Sequence, residues 1–130
     1  MRAFCILTIL FSLLLASNTF AQSKKIMIFG GPNHDVYLGC LSCSEFTIDS
    51  VYNEFGKYGS EFQVDSIFNS FGRFGSGFSN FSPCNEFATE PPVIVDQNGN
   101  FYGRLTVNTM HRQANREEWF LQWLRTKVCK

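Results

Sequence analysis

The sequence predicts a small α+β domain: a mainly antiparallel sheet, a glycine- and aromatic-rich repeat region of short helical turns, and a C-terminal helix. Three observations predict it. Short apolar runs bounded by Gly, Pro and Asn occur on both sides of the middle of the chain. The middle repeats itself every sixteen residues. The last fifteen residues carry an apolar stripe at helical spacing.

Taken in order, the 130-residue chain opens with an expected signal peptide over residues 1–21. Met1-Arg2 is a positive start, Ala3 to Leu15 is nearly all apolar, and Thr19-Phe20-Ala21 offers small residues at the cut. The remainder, 22–130, is expected to be a single exported domain, periplasmic or secreted. The apolar run is short for a membrane span, and no later stretch is apolar enough. The whole chain balances 11 Lys/Arg against 11 Asp/Glu, so no basic run marks a nucleic-acid or anionic-lipid binder.

Lys25 to Phe29 reads as a first strand, closed by Gly30-Gly31-Pro32. Val36 to Cys43 reads as a second. Residues 49–88 hold three copies of the repeat, the third partial. Ser50, Asn53, Phe55, Gly56, Tyr58, Gly59, Ser60 and Phe62 fall on Ser66, Asn69, Phe71, Gly72, Phe74, Gly75, Ser76 and Phe78, and Ser82, Asn85 and Phe87 follow in step. Repeats at fixed period point to a stacked array in which no unit is stable alone. Asp49-Ser50 and Asp65-Ser66 are N-cap candidates, and Gly56 and Gly72 suit a left-handed helix end, so each unit is expected to open with one helical turn. Tyr52, Phe55, Tyr58, Phe62 and their counterparts are expected to supply most of the buried area, each closing aromatic docking on its neighbours. A shorter match lays Tyr37–Ser44 on Phe101–Asn108, an offset of four repeats.

Pro91-Pro92 ends the array, and 91–108 reads as a β-hairpin with Asn98-Gly99 at its turn. Residues 93–95 and 101–107 are its strands. Residues 116–128 read as a helix, with Asn115 as N-cap, Glu118 completing a capping box, and Trp119, Phe120, Trp123, Leu124 and Val128 on one stripe.

The pattern Tyr37-Leu-Gly-x-Leu-Ser, then Asp-Ser-x-x-Asn-x-aromatic-Gly-x-aromatic-Gly-Ser twice, then Ser82-x-x-Asn85-x-Phe87-Ala88, Pro91-Pro92-x-Ile94 and Gly103-x-Leu105-Thr-x-Asn108 resembles a family of small, mostly uncharacterised exported bacterial proteins. The resemblance spans residues 36–108. Here many family tyrosines are phenylalanine, and Cys40, Cys43 and Cys84 are departures. It implies a bacterial origin and an export-competent domain, and no chemistry.

The four cysteines past the signal, Cys40, Cys43, Cys84 and Cys129, read as disulfide partners, with a bridge from Cys84 to the Cys40/Cys43 strand favoured. The alternative is an extracytoplasmic thiol-redox or metal-binding protein using Cys40, Cys43 and Cys84, with His34 or His111 completing a zinc site. His34-Asp35 reads as solvated loop rather than a base and its orienter, because adjacent side chains rarely face each other. Asp96-Gln-Asn-Gly-Asn100 begins like a calcium loop, but Val107 stands where the closing Glu belongs. No catalytic residue, metal ligand set or cofactor is assigned. Asn53, Asn69, Asn85, Tyr58 and Phe74 are the ligand-binding candidates; the alternative for the asparagines is a role in capping local backbone. The expected function is a non-enzymatic exported module making a cell-envelope or extracellular contact, or meeting a protein partner, with no nucleic acid and no membrane span.

Overall fold

Four strands form one antiparallel sheet in the computed structural model, which describes residues 23–130. The expected signal peptide lies outside those residues. Strand β1 (Ile26–Gly30) sits in the middle, between β2 (Val36–Cys40) and β3 (Val93–Asp96), and β4 (Phe101–Arg104) completes the order β2-β1-β3-β4. The central strand is the most apolar, as its position demands. A single C-terminal helix makes the fold a small α+β one, as the sequence predicts: α1 (Glu118–Trp123) runs on into a π-helical turn over Leu124–Val128.

Strand β2 stops three residues short of the expected Cys43. The Cys40 N–H bonds to the Asp49 carbonyl at 2.7 Å, and the Val51 N–H returns to the Cys40 carbonyl, so the chain leaves the sheet there. The β3–β4 hairpin is pinned by Asp96. One carboxylate oxygen accepts the Asn98 and Asn100 N–H groups at 2.8 and 3.0 Å, and Gly99 takes φ +81°.

Between the strands the expected helical turns do not form. The chain instead climbs a staircase of β-turns, each closed by an N–H to the carbonyl three residues back. Ser50 bonds to Thr47, Asn53 to Ser50, Gly56 to Asn53, then Gln63 to Ser60, Ser66 to Gln63, Asn69 to Ser66 and Gly72 to Asn69. One step per unit is longer: Ser60 reaches back four residues to Gly56, and Ser76 to Gly72. Four steps of three and one of four give the sixteen-residue period. Gly56 and Gly72 are not left-handed. Glycine is required instead at Gly59 and Gly75, where an added Cβ would lie 2.1 and 2.2 Å from the carbonyl oxygens of Asn53 and Asn69.

The repeated polar residues hold this staircase. Ser50, Ser66 and Ser82 are fully buried, and their hydroxyls accept the N–H of Tyr52, Phe68 and Cys84 two residues on. Ser50 and Ser66 also donate, to the carbonyls of Cys43 and Tyr58. The same geometry recurs at an offset of 64. Gly39 and Gly103 both have positive φ, and the bonds of Cys40 to Asp49 and Val51 are matched by those of Arg104 to Gln113 and Asn115.

Two rows of side chains point inward. Val51 and Ile67 join Ile28, Leu38, Ile94, Leu105 and Phe120 in the core. Tyr58 and Phe74 press on the sheet where it has no side chain: a Cβ on Gly39 would meet Tyr58 Cβ at 2.8 Å, and one on Gly30 would meet the Phe74 ring at 3.0 Å.

The C-terminal helix is a strap over the array. Trp123 packs its ring against Tyr52 and Phe68, with centroids 5.7 and 6.2 Å away, and Cys129 bonds to Cys84. Tyr52, Phe68 and Cys84 occupy the same place in successive units. The helix starts two residues later than expected. Asn115 does not cap it: its Oδ1 accepts the Glu117 N–H and its Nδ2 donates to the Tyr102 carbonyl, tying the segment to β4.

Candidate contact surface

The favoured bridge from Cys84 to the β2 end is not the one that forms. Cys40 bonds to Cys43, Cα to Cα 5.5 Å, and Cys84 to Cys129, Cα to Cα 5.2 Å. A three-residue step along a strand would separate the first pair. They meet because β2 has ended and residues 41–43 turn. Among the described residues no three His, Cys, Asp or Glu side chains group to hold a metal, and Cys84, in the third unit of the array, is bonded to Cys129 of the strap and not to Cys40 or Cys43. His34, at φ +52°, has its Nε2 3.1 Å from an Arg104 nitrogen and 3.6 Å from a Glu90 oxygen. Arg104 also donates to the Pro91 carbonyl and Gln113, so this group fastens the array's end to β4.

The ligand-binding candidates are braces of the staircase. Asn53, Asn69 and Asn85 each accept, through Oδ1, the N–H of the phenylalanine two residues on. Each donates through Nδ2 to a carbonyl six residues back: Thr47, Gln63 and Ser79. Both ends of every amide are used. Phe74 is buried and Tyr58 half-buried, stacked edge-on to Tyr37 at 5.0 Å.

What those braces present is the surface. Phe55, Phe71 and Phe87, the residues whose N–H groups the asparagines hold, are 97, 98 and 85 % exposed. Phe46, Phe62 and Phe78 form a second sixteen-residue file, 88, 83 and 98 % exposed, flanked by exposed Ile48 and Val64. Met110 falls in step with the second file, 64 residues after Phe46, and Asn108 accepts its N–H as Ser60 and Ser76 accept those of Phe62 and Phe78. The expectation that Phe55 and Phe62 are buried is therefore corrected. Each sits at the outer corner of a β-turn, where the side chain points to solvent. The files are hard to read from the residues alone because an apolar residue suggests core by default. A signal was present: Glu45-Phe46, Glu54-Phe55, Glu61-Phe62 and Glu86-Phe87 place a carboxylate beside the ring at a turn centre.

Two carboxylates anchor the frame beneath. Asp49 accepts the Lys25 ammonium at 2.7 Å and the Tyr37 hydroxyl, which hold its carboxyl below the usual range. Tyr37 is pushed up, first by burial and then by that bond. Asp96 is held low by the Asn100 amide, the Tyr102 hydroxyl and two backbone N–H groups, against the opposing effect of burial, and Tyr102 is raised by its bond to Asp96. A depressed carboxyl stabilises the fold above its unfolded pKa and loses that contribution as pH falls through it; a raised phenol does so below its own and loses it as pH climbs. Stability measured by urea unfolding should thus be flat between about pH 5 and pH 9, falling below about pH 4 and above about pH 10. Asp96→Asn should flatten the acid limb.

Comparison with family models, curated proteins and solved structures returns no match. No helix of the described residues is long and apolar enough to cross a membrane. The two disulfides fit an oxidising compartment.

Proposed function

We propose that this chain is a non-enzymatic exported module that makes a cell-envelope or extracellular contact through its files of exposed phenylalanines. The observation that carries this reading is the pair of sixteen-residue files, 83 to 98 % exposed, the first set on turns braced by asparagine and Phe62 and Phe78 of the second on turns braced by Ser60 and Ser76. Ordinary surfaces rarely expose contiguous apolar patches of more than a few hundred Å². Six rings in two files, each able to bury roughly 150–250 Å², go beyond the singly scattered apolar residues of an ordinary surface. Nothing in folding requires them to be Phe, since they touch little of the core. The resemblance to exported bacterial proteins with such repeats agrees with this reading. The paired cysteines support a scaffold role over thiol or metal chemistry, because no free thiol remains among the described residues.

The test is co-sedimentation of the purified protein with bacterial cell-envelope fragments, comparing the parent with Phe55→Ser/Phe71→Ser/Phe87→Ser. The parent should pellet with the fragments, and the variant's retention should drop at least tenfold. A parent that stays in solution, or a variant that pellets equally, would count against the proposal.

A further inference from the structure

We infer that the Glu-Phe corners of the array dock on the C-terminal helix of a second copy of this chain, joining copies head to tail. This rests on the reading of the phenylalanine files as a contact surface, and names their occupant. The corners are Glu45-Phe46, Glu54-Phe55, Glu61-Phe62 and Glu86-Phe87. All eight side chains are exposed, and none of the four glutamates makes an ion pair among the described residues. An occupant must therefore offer both apolar surface and positive charge.

The same chain offers both elsewhere. The outer side of α1 and the π turn borders a shallow hollow of about 520 Å³, lined by Arg116, Glu118, Leu121, Gln122, Arg125 and Thr126. Leu121 supplies an apolar wall. Arg116 is held in place by bonds to the carbonyls of Thr109, His111 and Ala114. Arg125, Lys127 and Lys130 are exposed and form no ion pair among the described residues, and Trp119 of the same helix is 60 % exposed. Glu118 opposes an incoming carboxylate, so Arg116 and Arg125 are the groups that receive it.

Charge along the sequence is divided to match. Residues 44–90 hold seven Asp/Glu against two Lys/Arg, and residues 91–130 hold three against six. Two arrays placed face to face would set glutamates against glutamates; an array on a neighbour's helix sets them against arginines. Three rings buried at roughly 150–250 Å² each approach the roughly 800 Å² per partner of a standard interface. Because corner and hollow are different patches, the contact is heterologous, and copies add in a ring or an open row.

Sedimentation velocity of the full exported chain tests this. The mean mass of the parent should rise with concentration, and fall back toward monomer in about 0.5 M salt, where the screening length is a few Å. Glu54→Lys/Glu86→Lys reverses the charge of the two corners in the first file, and Arg125→Glu/Lys127→Glu reverses Arg125 of the hollow and Lys127 two residues on. Each variant alone should be monomeric, and an equimolar mixture should give dimers, since one good corner then meets one good hollow. A parent that stays monomeric, variants that still assemble alone, or a mixture that forms no dimer would each overturn the inference. If the parent stays monomeric yet binds envelope fragments through its phenylalanines, only the second copy as occupant fails. If Phe55→Ser/Phe71→Ser/Phe87→Ser assembles as the parent does, the contact surface itself fails.

Discussion

Removing the Cys84–Cys129 bridge should cost about 4 kcal/mol, twice the roughly 2 kcal/mol expected for Cys40–Cys43. The estimate follows from loop length: the first bridge closes a loop across 45 residues and the second across 3. Longer loops lose more unfolded-state freedom when closed. The native role of the first bridge points the same way. It ends the strap that holds Trp123 on Tyr52 and Phe68, so Cys84→Ser/Cys129→Ser frees the helix end as well as the unfolded chain. Urea unfolding of both double variants checks this. Equal losses would show that the strap does not bind the units together.

Gly75→Ala should destabilise by about 3 kcal/mol, while Gly77→Ala two residues away should change stability by less than about 0.5 kcal/mol. A Cβ on Gly75 would lie 2.2 Å from the Asn69 carbonyl oxygen and 2.7 Å from that of Ile67, both backbone atoms of the turn. Neither yields without breaking the step that Asn69 braces. A Cβ on Gly77 would find nothing nearer than 3.9 Å. Thermal or urea unfolding of the pair separates a tight staircase, which predicts the contrast, from a loose loop, which predicts two small and similar effects.

The fold class was legible because the strands carry ordinary signals. Ile26 to Phe29 is a run of apolar residues ended by glycine, and Asn98-Gly99 marks a hairpin. The strap was legible through its apolar stripe, although its start was not: Asn115 is spent on Tyr102 and Glu117, a tertiary use that no local pattern announces. The array's period was plain, but its conformation was not. A run of i to i−3 turns has no hydrophobic period of its own, and Ser, Asn and Gly serve helix caps and β-turns alike. The disulfide pairing was hidden because four cysteines allow three connectivities, and only the folded strap brings Cys129 to Cys84. The site was the least legible part. Phe55 and Phe74 sit in the same repeat chemistry, yet one is exposed and the other buried. Their fates differ because one stands at an outer turn corner and the other fills the space above Gly30.

The most direct test is the stability of Phe55→Ser/Phe71→Ser/Phe87→Ser, measured by urea unfolding beside its envelope binding. If these rings are presented rather than packed, the variant unfolds within about 1 kcal/mol of the parent and loses its contact. If they belong to the core, three truncations at roughly 3–5 kcal/mol each would leave no folded protein, and the contact surface described above would not exist.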